Sequence, residues 1–462
     1  MPTITPRSVT GDFNQFVYDF LRSLEGYIPT VYADSKGVPT LGLGYALVIK
    51  VGTQWRVRDN VQTDLTLVNL GDLDGNPATP DVRLSPADLT KLQEVADKLN
   101  DSILTESTRI AQAKQLIQQY TWSLPPIEPE AAFRPLFNKV VEDFENILKA
   151  KLGQPLFDSL VNSQEKAALL SLAFNNPVLI GTGLVSALQG NNRAEAWYQI
   201  RYQSNGGASA SQGIANRRYQ ESDLFGLYNV GTAPADDEEA KSVIRMYTEH
   251  RVGPGSIRLY EANYLPTTPE ADSTFIDDQI APARNLLIAD FAQGRSIIGE
   301  VFVGQDDLIP GDKLVGTTQS DLLFGEKGHD DLKGDAGGDV IYGGEGVDQI
   351  TGGLDNDFLL GGAGYDTYIY KTGDGTDRIE DKEGVNTIIF DDRLLQGGIH
   401  QTTDLPNTYT SLDGTFTFVK VANGDLIVNG GVLTLNQNFQ SGDFSIRLHD
   451  LPDYVNGLPD RV

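Results

Sequence analysis

Residues 316–369 divide without remainder into six rows of nine: GTTQSDLLF, GEKGHDDLK, GDAGGDVIY, GGEGVDQIT, GGLDNDFLL and GGAGYDTYI. Every row begins with Gly and has Asp in sixth place, at Asp321, Asp330, Asp339, Asp348, Asp357 and Asp366. An apolar residue stands eighth, at Leu323, Leu332, Ile341, Ile350, Leu359 and Tyr368. A disordered Gly/Asp-rich linker has no reason to hold three positions in register. Glycines let a chain turn tightly and aim carbonyls at a cation, and carboxylate oxygens are hard ligands suited to calcium. The rows hold eleven acidic residues against Lys327 and Lys333. So much like charge over so little apolar surface leaves chain entropy uncompensated unless a cation is bound.

The pattern resembles the RTX, or haemolysin-type, nonapeptide G-G-x-G-x-D-x-U-x. That resemblance implies a parallel β-roll in which two rows make one turn and the eighth residues fill a narrow core between two small sheets. It also implies structural calcium ions between the loop of one row and that of the row two further on, about four complete sites in six regular rows. The implied ligands are the six aspartates with the loop glycines Gly325, Gly334, Gly343, Gly346, Gly352, Gly361 and Gly364. Thr317 and Gln319 in the first row and Asp355 in the fifth replace glycines, so weaker sites are expected there. Asp312 and Leu314 continue the phase upstream, and TGDGTDRIED after Tyr370 breaks it. Residues 371–462 read as a β-rich cap, since solenoid ends need covering. LNQNFQSGDFSIRLHD (435–450) resembles the tail of RTX proteins exported by type I secretion. This implies an extracellular protein whose partner is that machinery, and no apolar leader is visible at the start of the chain.

Charge supports this division. The 462 residues carry 36 basic and 64 acidic groups, a net of −28. Residues 1–230 hold 20 and 24, a net of −4, and the remainder 16 and 40, a net of −24. Acidity on this scale excludes nucleic acid as a partner. Cysteine is absent, which removes disulfides and thiolate chemistry. No apolar run reaches membrane-spanning length.

Chemistry concentrates in Glu25 to Gly44, EGYIPTVYADSKGVPTLGLG. Apolar residues at Phe13, Phe16, Val17, Phe20, Leu21 and Leu24 form one helical face, and Gly26 follows where a helix C′ glycine belongs. Glu25 therefore ends a helix and faces a hairpin that carries Asp34 and Thr40 around the turn Ser35-Lys36-Gly37. Two carboxylates so placed suit glycoside hydrolysis, where one protonates the leaving oxygen and the other activates water or stabilises the cationic sugar. A partly buried Glu keeps its proton near neutral pH, while an exposed loop Asp stays ionised. All four histidines lie beyond residue 230, so catalysis before it rests on carboxylates.

The string Glu, eight residues, Asp, five residues, Thr, then Gly-x-Gly resembles the active-site segment of phage-type lysozymes, the endolysin muramidases. That resemblance implies Glu25 as general acid, Asp34 as water-activating carboxylate and Thr40 as a holder of the water. Tyr45 stands where many members carry His. AALLSLAFNN (167–176), LVSALQGNNRAEAWYQI (184–200) and GIANRRYQESDLF (213–225) resemble the helical lobe of the same family. There an arginine pairs with the catalytic Glu, and Arg217 or Arg218 is the candidate. Asn175 and Asn176 either face the site or cap the helix before them.

The expected architecture is multidomain: an α+β, mainly α, lysozyme-like domain (1–230), then an all-β parallel β-roll with a β-rich cap. Residues 46–80 read as an irregular insertion in the first domain, with an acidic turn at Asp72 to Asn76. Helices are expected at 85–120, from Phe137 to Leu148 and after Ser163, with a Pro-rich break at Trp122 to Pro129. Residues 231–312 read as a helical extension and linker, 313–370 as the roll and 371–462 as the cap. The expected activity is that of a secreted, monomeric hydrolase cutting the β-1,4 bond between N-acetylmuramic acid and N-acetylglucosamine in peptidoglycan. Two alternatives stay open: a cell-wall glycan-binding or surface-attachment protein, and a hydrolase of chitin-like polymer. The second is kept open by the −4 of the first half, which gives little attraction to an anionic wall.

Overall fold

The computed structural model describes residues 4–71, 82–204, 212–264, 276–306, 311–400, 404–436 and 438–450. The chain divides into two compact units: residues 3–230 with 264–273, and residues 231–263 with 274–462.

The first unit is mainly helical. Its opening helix, Phe13–Glu25, starts on Asp12, whose side chain accepts the Gln15 N–H, and stops at Gly26, where φ is 78°. Phe13, Val17, Tyr18 and Leu21 are buried, and the Tyr18 ring meets Phe137 edge-on at 4.9 Å. Phe137 belongs to the helix Arg134–Leu152, longer at both ends than its apolar pattern suggests. Strand Ile28–Ala33 then pairs antiparallel with Pro39–Gly42, setting Tyr32 opposite Thr40. A Cβ on Gly42 would overlap the Phe133 ring, and one on Gly44 the Phe174 ring. The two glycines of the G-x-G are therefore where aromatic rings come close against the hairpin backbone.

Residues 46–65 are ordered structure and not an irregular insertion. Val48–Val51 and Gln54–Val57 form a second hairpin, fastened by the Asn100 amide to both backbone polar groups of Trp55 at 2.7 Å, and Val61–Leu65 is a short helix. The acidic turn at Asp72 to Asn76 lies outside the described residues. Helix Pro86–Asn100 carries a capping box between Ser85 and Asp88, and Glu106–Gln119 is capped by Thr105. No helix occupies 122–129. The central helix Gln164–Asn175, capped by Ser163, is buried along nearly its whole length. It includes Glu165, which is fully enclosed and held by Arg7 and Arg193 at 3.0 and 2.9 Å.

In the second unit the roll is larger than six rows. One sheet runs Val301–Val303, Leu322–Gly328, Val340–Gly346, Phe358–Gly364 and Asp377–Ile379, each strand parallel to the next. The other runs Lys313–Val315, Asp331–Ala336, Gln349–Leu354, Thr367–Tyr370 and Thr387–Phe390, also parallel. Leu359 faces Ile379 and Tyr368 faces Ile388, a step of 20 residues where interior rows step by 18. The register break expected after Tyr370 is thus a two-residue insertion, Tyr370-Lys371. Two further rows follow it, TGDGTDRIE (372–380) and DKEGVNTII (381–389). The eighth-place residues Leu323, Leu332, Ile341, Ile350, Leu359, Tyr368, Ile379 and Ile388 form one buried column, continuous with the cap through Phe416, Phe418 and Leu433.

The cap joins the first sheet by Leu433–Leu435, parallel to Asp377–Ile379, and continues antiparallel through Leu426–Val428, Thr417–Lys420 and Thr408–Thr410. Residues 231–312, expected to be a helical extension and linker, belong largely to this unit. Helices Asp237–His250 and Ile276–Phe291 lie beside the first rows, where Lys241 pairs with Glu326 at 2.6 Å. Phe291 meets Phe324 and Tyr342 edge-on at 5.1 and 5.6 Å. These helices cover aromatic side chains on the outer face of the roll, which a linker would leave in water. No helix among the described residues is long and apolar enough to cross a membrane.

Candidate active site and calcium-binding rows

Glu25 is the last residue of its helix, beyond the apolar stripe, and about a third of its side chain stays exposed. One carboxylate oxygen accepts from Arg217 on the helix Gln212–Phe225. Arg217 is itself fixed: Nε donates to Glu221 at 3.0 Å, and Nη2 to the carbonyl and hydroxyl of Ser171, both at 3.2 Å. Glu221 is fully buried, and its other oxygen accepts from Arg218. Of the two candidate arginines, then, Arg217 reaches the acid. Arg218 is buried and ties the Ser204 carbonyl and Asn175 to Glu221 at 2.9 Å, 2.5 Å and in direct contact. Asn175 therefore serves Arg218, and Asn176 caps the turn after it by accepting the Val178 N–H at 3.2 Å.

Asp34 is wrapped by its own turn. Its Oδ1 accepts the N–H of Lys36 at 2.8 Å and of Val38 at 2.7 Å. Burial pushes its carboxyl above the ordinary carboxylate value, opposed by those two N–H groups and by the charges of Lys36 and Lys114. The expected division of burial is therefore reversed. The helix ends before it can cover Glu25, and the turn with helix Glu106–Gln119, which carries Lys114, encloses Asp34. Thr40 is buried and donates to the Val38 carbonyl at 3.0 Å, which leaves its oxygen able to accept. Tyr45 is fully buried, donates to Asp64 at 2.8 Å and packs under Arg58. Sequence reasoning missed Tyr32. Its hydroxyl is pushed up to about 12 by burial first, then by the charges of Asp34 and Glu25, which sets it in the field of both carboxylates. Its strand position opposite Thr40 was the available signal.

The rows meet calcium's requirements through an arrangement repeated at each turn. The backbone N–H of one sixth-place aspartate donates to Oδ1 of the aspartate two rows on, from Asp321 to Asp339 at 2.7 Å, Asp330 to Asp348 at 2.9 Å, Asp339 to Asp357 at 2.8 Å and Asp348 to Asp366 at 2.9 Å. This leaves Oδ2 of Asp330, Asp339, Asp348, Asp357 and Asp366 buried with no protein partner. At Gly325, Gly334 and Gly343 a Cβ would collide with that Oδ2 and with the carbonyl of the glycine two rows on, Gly343, Gly352 and Gly361 respectively. At Gly346 and Gly364 it would collide with the backbone of Gly328 and Gly346. Carboxylate and carbonyl oxygens thus converge on a cleft that only glycine leaves open, a donor set for a hard cation. Burial pushes the carboxyl of Asp339 up to about 8, Asp357 to about 7, and Asp348 and Asp366 to about 6. Asp321 differs from the other five. Its oxygens already accept the Thr317 N–H and the Glu300 N–H, both at 2.5 Å, in the row where Thr317 replaces glycine.

A family model for the RTX calcium-binding nonapeptide repeat, four copies, matches residues 311–341 and 333–368. The rows are RTX repeats, and they bind calcium. Among solved structures, the AlgE6R3 subunit of the Azotobacter vinelandii mannuronan C5-epimerase is 25% identical over 31% of this chain and 77% of its own, with a TM-score of 0.15. No curated protein matches the chain.

Proposed function

We propose that this chain is a secreted lysozyme that cleaves the β-1,4 bond between N-acetylmuramic acid and N-acetylglucosamine, joined to a calcium-binding β-roll exported by type I secretion. Glu25 protonates the departing glycosidic oxygen. Asp34, through the oxygen not engaged by the turn, takes a proton from water on the opposite face of the sugar, and Thr40 accepts a hydrogen bond from that water. What supports the reading is the carboxylate at a helix end held by a buried-anchored arginine, Arg217, with the aspartate and threonine of the same sequence string on the adjoining hairpin.

The reading is tested on purified peptidoglycan. We expect new reducing ends at N-acetylmuramic acid and, by NMR on early product, an inverted anomeric centre. Inversion needs room for a water between the carboxyls, roughly 6.5–9.5 Å. Retained configuration makes Asp34 a nucleophile, and binding without release of reducing ends makes the chain a glycan-binding protein. Arg217→Met keeps an unbranched apolar stem and removes the donors. It should lower kcat by about 10²-fold by letting the acid wander from the reacting oxygen, with little change in KM. Unchanged kcat removes Arg217 from this positioning role.

A further inference from the structure

The roll's last loop pair breaks the ligand pattern by moving a carboxylate from the sixth place of a row to the first. At Gly325, Gly334 and Gly343 the two oxygens converging on the glycine are Oδ2 of its own row's aspartate and the carbonyl of the glycine two rows on. At Gly361 the row two on is DKEGVNTII, which begins with Asp381 instead of glycine. The atoms converging there are Oδ2 of Asp366, Oδ2 of Asp381 and the Tyr368 hydroxyl. All three residues are more than nine-tenths buried. Asp366 Oδ2 accepts no hydrogen bond from a backbone N–H or a hydroxyl and faces the Asp381 carboxyl. Asp381 is held from three sides. Tyr368 donates to its Oδ2 at 2.6 Å, the Glu383 N–H donates to its Oδ1 at 3.1 Å, and its backbone exchanges hydrogen bonds with the Asn436 side chain of the cap at 2.6 and 2.5 Å.

The row also lacks the carboxylate that the interior rows have. Its sixth place is Asn386, whose Oδ1 accepts the Asp366 N–H at 2.9 Å as an aspartate does elsewhere. A site between rows 361–369 and 381–389 would therefore have one negative charge fewer than its neighbours, and Asp381 restores it. Tyr368 is the only eighth-place residue with a hydroxyl, and that hydroxyl donates to this oxygen. Gly361, Asp381 and Glu383 also line a groove of about 580 Å³.

We propose that these two rows hold a further calcium ion, with Asp366 and Asp381 as carboxylate ligands and Tyr368 as the residue that positions Asp381. Asp381 lies beyond the matched repeats, and the site is independent of any activity of the first unit. The test is an ion count and calcium affinities for the full chain, by native mass spectrometry and calorimetry. Asp381→Asn should bind one ion fewer than wild type, with the other affinities unchanged. Asp381→Gly, which restores the repeat's usual residue, should lose the same ion. Tyr368→Phe should keep the count and weaken one ion by about tenfold. An unchanged count and affinities in Asp381→Asn overturn the proposal, and so does tighter binding in Asp381→Gly, which would make Asp381 a mere repulsive neighbour of Asp366. Should either Asp381 variant fail to fold in calcium by circular dichroism, Tyr368→Phe decides, and wild-type affinities there overturn it equally.

Discussion

Turnover of the Glu25→Gln protein on peptidoglycan should fall by about 10²–10⁴-fold or more while the chain stays folded. Glutamine has the shape of glutamate and keeps an oxygen for the Arg217 guanidinium, but it has no proton to give the leaving oxygen. The stability cost is small because the pair is partly solvated: a third of the Glu25 side chain is exposed, and exposed ion pairs are worth about 0–1 kcal/mol. Arg217 also keeps its bonds to Glu221 and Ser171, so no buried cation is orphaned. Reducing-end release against time, beside a thermal melt, separates loss of chemistry from loss of fold. Near wild-type rates from a folded Glu25→Gln protein would remove Glu25 from the role of acid and with it the lysozyme reading.

Legibility in the sequence followed the range of the interaction. The opening helix and its stop were readable because an apolar stripe and a C′ glycine are local, and the rows were readable because their period is fixed. Rows 372–380 and 381–389 were hidden by two residues, Tyr370-Lys371, which shift the phase while the eighth-place residues stay paired, Leu359 with Ile379 and Tyr368 with Ile388. Helices 237–250 and 276–291 do not repeat, and contacts distant in sequence, Lys241 with Glu326 and Phe291 with Phe324 and Tyr342, make them part of the second unit. The choice between Arg217 and Arg218 was beyond the sequence for a different reason. Adjacent residues on a helix point about 100° apart, and which of the two faces Glu25 depends on the buried Glu221 that both arginines share. The charge acting on the half-buried Asp34 carboxyl comes in part from Lys114, eighty residues away in the chain.

Chelation at pH 7.5 should unfold the second unit and leave the first one active. Without calcium the roll buries carboxylates that have no partner for one oxygen, at Asp330, Asp339, Asp348, Asp357 and Asp366. Burial raises them, along with Asp377 to about 8 and Asp381 to about 6. A carboxyl raised in the fold supplies its stability below its ordinary value of 3.8 and loses it as pH rises through the folded value. The calcium-free roll is therefore stable in acid and fails between about pH 4 and pH 8, as protons leave sites that only a cation can then neutralise. Calcium binds the folded rows and not the open chain, so millimolar ion stabilises by RT ln(1 + [L]/Kd) at each site. The first unit draws on apolar helices and on the ion pairs of Glu165 and Glu221, none of which needs a metal. In excess chelator at pH 7.5 the full chain should lose β ellipticity but keep its helical melting transition and its peptidoglycan hydrolysis. Lowering the pH to about 4 should restore β-structure without calcium. A chelated chain that keeps its β-structure at pH 7.5, or one that loses hydrolysis together with the roll, would show that the two units are not divided in this way.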